Sequence, residues 1–148
     1  MRRTFYFALF AAVALVVVGS SSSAELRPGA ADPVIVALSG GAEVPGPGDN
    51  DGSGTATLNF DHAKGELCYE ISVKDIQDAS AAHIHAGAAG AAGDVKVTLK
   101  APAGGMSKGC VTVDKALLKE IADKPGNFYV NVHNAEFPKG AIRGQLGK

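Results

Sequence analysis

"GTATLNFDHAKGELCYEISV", residues 54–73, decides the fold. Ala56, Leu58 and Phe60 alternate with polar residues, the period of a strand that buries one face. Leu67, Tyr69, Ile71 and Val73 repeat that period after the break. Between the two runs, "DHAKG" (61–65) is a short polar segment ending in Gly, a hairpin signal. The stretch therefore predicts two antiparallel strands joined by a tight turn.

The same period extends outward in both directions. "VIVALSG" starts at Val34, and "AAHIHA" (81–86) follows the hairpin. "GDVKVTLK" (93–100) places Val95, Val97 and Leu99 inward. "GCVTV" (109–113), "NFYVNVHN" (127–134) and "GAIRGQL" (140–146) complete the set, the last with Ile142 and Leu146 on one face. Eight short strands with turn signals between them predict an all-β chain: an antiparallel Greek-key β-sandwich or barrel. One segment breaks the period. In "DKALLKEIADKPG", Asp114 is a natural N-cap, Leu117, Leu118 and Ile121 share a helical face, and Pro125-Gly126 ends it. A short helix is expected at about 114–123, laid across one end of the sheet with its apolar stripe in the core.

The N-terminus reads as a secretory signal peptide over residues 1–24. Arg2 and Arg3 precede the uncharged apolar run Phe5–Val18, and Ser22 and Ala24 supply the small residues of a cleavage site. The run is shorter than the roughly 20 residues that a membrane span needs. No Cys follows it, so a lipoprotein anchor is not expected. Residues 25–33, rich in Pro, Gly and Ala, read as a linker, and 34–148 as a single domain. The expected location is periplasmic or extracellular, with no membrane contact after cleavage. The formal charge is −1, or −3 without Arg2 and Arg3. A weakly acidic chain with no basic run and no Trp is not expected to bind nucleic acid.

The chain has two cysteines. Cys68 alternates onto the polar face with Glu70 and Ser72, and Cys110 with Thr112. In an exported chain such a pair reads first as a disulfide, and otherwise as a reactive or metal-binding thiol pair. Closing a loop of about 43 residues would stabilise the fold by roughly 4 kcal/mol in the chain-entropy picture.

Four histidines are present. His83 and His85 stand two apart on a strand, so both imidazoles project to one face, opposite Ile84. His133 lies on the face opposite Phe128, Val130 and Val132, together with Tyr129 and Asn131. All three are expected on the polar sides of their strands, where an ion could reach them. An all-imidazole site in an exported chain suits copper or zinc, and three ligands leave a position open. If one subunit supplied too few ligands, a homodimer would complete the site. His62, in the hairpin turn beside Lys64, is expected to be solvated.

Other candidates are weaker. Asp49, Asp51, Ser53 and Gly54 resemble the start of a calcium loop, but its twelfth position is Phe60 rather than Glu. A polar loop between strands is expected there. Glu43 and Glu136 are candidates for paired carboxylates that spacing alone does not join. Arg143 stands opposite Ile142 and Leu146, and is expected to pair with a carboxylate or to draw an anion towards a metal. No nucleophile elbow, phosphate loop or His-Glu-x-x-His is present.

Taken in order, "LSGGAEVPGPGDNDGSGTATL", "GELCYEISV", "AAHIHAGAAGAAGDVKVTL", "GCVTV" and "FYVNVHNAEFPKGAIRGQL" resemble the CHRD, or chordin-type, domain over about Val34 to Leu146. The resemblance implies that His83, His85, His133, the segment Ile142–Leu146 and the pair Cys68 and Cys110 occupy family positions. A more distant likeness is to copper/zinc superoxide dismutase. That family is also a Greek-key sandwich with a His-x-His, a later His and an anion-guiding Arg near the C-terminus. His83, His85, His133 and Arg143 fall in that order. The long zinc loop of that family and a clear fourth copper ligand are absent. The expectation is an exported CHRD protein that binds copper, with zinc second, through three histidines. One alternative is a copper-dependent, dismutase-like redox enzyme using Arg143. The other is a metal-free structural or partner-binding module of the cell surface.

Overall fold

The computed structural model describes residues 32–147. The expected signal peptide (1–24) and most of the linker (25–33) lie outside the described residues. Eight strands form: β1 (Val34–Ser39), β2 (Ser53–Asp61), β3 (Glu66–Lys74), β4 (Ala79–Ala86), β5 (Val95–Leu99), β6 (Met106–Thr112), β7 (Phe128–Asn134) and β8 (Ile142–Gln145). They make one sheet in the order β5-β4-β7-β8-β1-β2-β3-β6. Every ladder is antiparallel. The pairs β1–β8, β3–β6 and β4–β7 join strands distant in sequence, as crossed Greek-key connections require.

The sheet curls into a nearly closed barrel. Its two edge strands, β5 and β6, are not hydrogen-bonded to each other as a ladder. Polar side chains bridge the gap instead. The Lys100 N–H, just past β5, donates to Tyr69 Oη at 2.8 Å, and Ser107 Oγ on β6 donates to the Lys100 carbonyl at 2.8 Å. Both side chains point inward and are buried, so their partners satisfy groups that would otherwise be costly to bury.

Alternation fills the interior as expected. Val36, Leu38, Ala56, Leu58, Phe60, Leu67, Ile71, Ile84, Val130, Val132 and Ile142 form one apolar cluster. Across the β1–β8 seam the backbones approach closely. A Cβ on Gly144 would overlap the Ala37 carbonyl and lie 2.6 Å from Val36 Cγ1. The glycine of "IRGQL" is therefore what lets β8 sit against β1.

The helix α1 (Lys115–Asp123) forms where its signals placed it. The Asp114 carboxylate accepts from the N–H groups of Ala116 and Leu117 at 2.9 and 3.1 Å, capping the first turn. Leu118 and Ile121 carry the stripe into the core, with Leu117 at its margin. No helix among the described residues is long and apolar enough to cross a membrane.

Two expectations change. Val95 does not point inward: it is 48% exposed, while Val97 and Leu99 are buried. The β4–β5 register shifts between Ile84 and His85, so Val97 faces Ile84 but Val95 faces His85. A bulge of this kind re-phases alternation on the bulged strand. Strand β6 begins at Met106, three residues before the glycine of "GCVTV".

Candidate metal centre

Strands β4 and β7 pair so that Ala81 faces His133, His83 faces Asn131 and His85 faces Tyr129. On the face away from the core this brings the three histidines together. One ring nitrogen from each of His83, His85 and His133 lies within 4.8 Å of one from each of the others. The closest approach is His83 Nδ1 to His133 Nε2, at 3.2 Å. Donors bound tetrahedrally at about 2.0–2.1 Å from a metal lie about 3.3 Å apart, so this pair already stands at coordination spacing.

Backbone carbonyls point to which nitrogens carry protons. His85 Nδ1 is 2.8 Å from the Gly93 carbonyl oxygen. A carbonyl only accepts, so Nδ1 carries the proton and Nε2 the lone pair. That Nε2 is buried and has no hydrogen-bond partner. His133 Nδ1 donates in the same way to the Pro138 carbonyl at 3.2 Å, leaving its Nε2 as acceptor. His83 Nδ1 is then the donor to His133 Nε2, and coordination through Nδ1 requires that proton to move to the far side of the His83 ring. Two of the three rings thus have the backbone-carbonyl support common behind metal-binding imidazoles.

The cluster favours neutral rings. Burial holds His83 below the usual histidine range, and the neighbouring His133 and His85 add to the shift. Burial also lowers His133, opposed by its bond to Pro138 and reinforced by His85. Neutral imidazole is the ligand form. Asn131 completes the floor, its side-chain amide 3.1 Å from His133 Nε2; with that nitrogen an acceptor, the amide must turn its NH2 end towards it. The donors are therefore imidazoles with a neutral amide beside them, and no carboxylate joins the cluster among the described residues.

The surroundings differ from the expected open polar face. His85 is only 8% exposed, and Tyr129, Asn131 and Arg143 are buried beside it. The segment 87–94, almost all Ala and Gly, folds over this face and supplies the Gly93 carbonyl. Gly93 has to be glycine: a Cβ there would overlap the Ala86 carbonyl. Tyr129 stacks on His85, with ring centroids 4.8 Å apart and planes 8° from parallel.

Arg143 is placed differently from both expectations. It pairs with no carboxylate among the described residues. Its guanidinium carbon lies 3.4 Å from the Tyr129 ring centroid, and its nitrogens donate to the Ala91 and Ala88 carbonyls at 2.9 and 3.0 Å. The hydrogen-bonding fork is committed to the loop, which leaves it badly placed to draw in an anion.

The other candidates also separate. His62 is exposed at the hairpin turn, beside Phe60. Glu136 is exposed and accepts from Gln77 Nε2 at 2.7 Å, whereas Glu43 is buried against Gly140. Asp49 and Asp51 belong to the loop between β1 and β2, where the Asp49 N–H donates to the Ala141 carbonyl at 2.8 Å. Cys68 and Cys110 face each other across β3 and β6 and are joined, with sulfurs 2.04 Å apart. Glu66 lies beside them, but sulfurs in a disulfide offer no thiolate.

Sequence reasoning did not assign a role to Gly93, Pro138 or Tyr129. The first two act through backbone carbonyls, which leave no side-chain signal. Tyr129 and Asn131 had a readable one, since they share the face of His133.

The chain is thus an all-β protein, a nearly closed antiparallel barrel with three imidazoles on the outer side of β4 and β7. The CHRD domain family matches residues 34–146, and the chain belongs to that family. No curated protein and no solved structure matches it.

Proposed function

We propose that this is an exported CHRD-domain protein that binds a metal ion, copper ahead of zinc, through His83, His85 and His133. One observation carries the reading: the buried, partnerless Nε2 of His85, on a ring that has a nitrogen within 4.8 Å of a nitrogen of each of two other imidazoles. An unsatisfied buried acceptor costs about 1–3 kcal/mol. A bound cation would relieve that cost and use the lone pair. The neutral, nitrogen-rich donor set suits copper or zinc, and divalent copper binds such sets more tightly. Export is supported by the Cys68–Cys110 disulfide, which belongs to an oxidising compartment, and by the N-terminal apolar run after Arg2 and Arg3. A redox role steered by Arg143 loses support, because that guanidinium is bonded to Ala88 and Ala91.

The test is metal analysis of the exported protein, purified without a histidine tag and dialysed against copper. Equimolar copper is expected in the wild type and little in a His83→Ala/His85→Ala double variant. If the variant retains as much copper as the wild type, the proposal fails. Competition with zinc decides the order of the two metals.

A further inference from the structure

We propose that Arg143 is a positioning residue for the histidine cluster, holding the 87–94 loop so that Gly93 presents its carbonyl to His85. The proposal rests on reading the cluster as a metal centre. Its geometry can nevertheless be tested in the metal-free protein.

The loop cannot hold its own shape. In "GAAGAAGD" (87–94) every residue but Asp94 is Gly or Ala, so there is little side chain to pack and much backbone entropy to lose. Its ends are tied: the Gly87 N–H donates to the Asn127 carbonyl at 2.7 Å, and the Ala86 N–H to the Asp94 carbonyl at 3.0 Å. Gln145 Nε2 adds a bond to the Gly87 carbonyl at 2.8 Å. In the middle, the side chain that reaches the Ala88 and Ala91 carbonyls is that of Arg143.

Arg143 is a demanding choice for this position. It is 2% exposed and makes no ion pair among the described residues, with Glu43 feeling its charge only at longer range. A buried cation without a carboxylate in contact is normally costly. Here two carbonyl dipoles and the face of Tyr129 stand in for the anion, with a third bond to Gln145 Oε1 at 3.3 Å. The planar fork grips the two carbonyls from two separate nitrogens, a spacing that a single ammonium does not reproduce.

The consequence reaches His85 through two contacts. The Gly93 carbonyl accepts from the His85 Nδ1–H, and the Gly93 N–H donates to Tyr129 Oη at 3.2 Å. The ring of Tyr129 in turn touches both Arg143 and His85. Release of Arg143 frees the middle of the loop, then Gly93, and finally the choice of nitrogen that His85 turns to the cluster.

The experiment compares wild type with Arg143→Met, Arg143→Lys and Tyr129→Phe. In the metal-free state, imidazole nitrogen NMR reads the His85 tautomer, and amide exchange reads residues 87–94 against the barrel core. Copper affinity is then measured by chelator competition. The wild type should show a single Nδ1–H tautomer. Arg143→Met should mix the tautomers, speed exchange in the loop alone and weaken copper by about 10–100-fold, the usual cost of losing support behind a ligand. Arg143→Lys should restore part of this, since one carbonyl stays within its reach. Tyr129→Phe, which removes only the acceptor of the Gly93 N–H, should produce a smaller loss of the same kind. It decides the matter with Arg143→Lys if Arg143→Met does not fold. An unchanged His85 tautomer and unchanged loop exchange in the folded variants would overturn the proposal. A wild type that shows the tautomer but binds no copper would overturn the metal reading alone.

Discussion

Strands β3 and β7 carry the same kind of sequence and meet different surroundings. Both alternate polar with apolar residues: Cys68, Glu70 and Ser72 on one, Tyr129, Asn131 and His133 on the other. On β3 the alternation is also one of burial, with Glu70 exposed to solvent. On β7 every residue is buried except His133, which is half-buried. The outer face of β4, β7 and β8 is covered by the 87–94 loop and filled with a second, polar layer. The outer face of β2, β3 and β6 is open and stapled by a disulfide. Alternation reports which way a side chain points, and a loop from elsewhere in the chain decides what it points into.

The comparison breaks most directly at Tyr129. It is sandwiched between His85 and Arg143, so Tyr129→Ala removes a packed ring and the acceptor for the Gly93 N–H. A loss of about 3–5 kcal/mol is expected, in the range of buried aromatic truncations. The matching change on the open face, Glu70→Ala, should stay within about 0.5 kcal/mol. Urea unfolding of the metal-free protein measures both. Similar costs at the two positions would mean that the polar layer is not a packed layer.

Much of the barrel was legible because alternation is local. The hairpin of residues 54–73, all eight strands and the capped helix follow from patterns within a few residues of one another. His83 and His85 were legible as a pair for the same reason, and His133 as a third ligand because its strand face was readable. What was not legible depends on contacts between distant backbones. The bulge that turns Val95 outward arises from the pairing of β4 with β5, not from the sequence of β5. Gly93 and Pro138 act through carbonyls, which every residue possesses. Arg143 was recognisable as unusual, since charge is rare in a short buried strand. Its partners are carbonyls of an Ala/Gly loop, and no charge pattern points to them.

The open half should be separable from the site. Cys68 and Cys110 lie on β3 and β6, on the open face of the barrel, whereas the cluster sits on β4 and β7. A Cys68→Ser/Cys110→Ser double variant should lose about 2–4 kcal/mol of stability. Its copper affinity, measured on the folded fraction, should match that of the wild type. A variant that keeps its stability but loses copper would place the cysteines in the metal chemistry, and the division between the halves would fall.

The smallest effect concerns protons, and it separates the halves by cause. On the open half, Asp61 is held below the usual carboxylate range mainly by the Lys64 N–H, which donates to it at the hairpin turn. At the histidines of the covered half, and at Glu43 in the loop between β1 and β2, burial drives the shifts. Glu43 is 6% exposed, with Oε1 unpartnered beneath Gly140, and burial raises it from 4.5 to about 7, against the pull of Arg143 and of the Val44 N–H. A raised acid favours the fold while protonated, so its contribution is complete below about pH 4.5 and is lost as pH rises through about 7. Allowing for partial screening, that loss is roughly 2 kcal/mol. His83 and His133 act in the opposite sense. Their folded values lie below 6.5, so their contribution is present above about pH 6.5 and falls as the solution is acidified. In the wild type the two trends oppose each other between about pH 4.5 and 6.5. Glu43→Gln removes one of them. With chelator present to keep the protein metal-free, its stability should climb steadily with pH up to about 6.5 and then level off. The difference between wild type and variant should shrink by roughly 2 kcal/mol from pH 4.5 to 7. A difference that does not vary with pH would mean that Glu43 is solvated, and that its burial against Gly140 is not kept in solution.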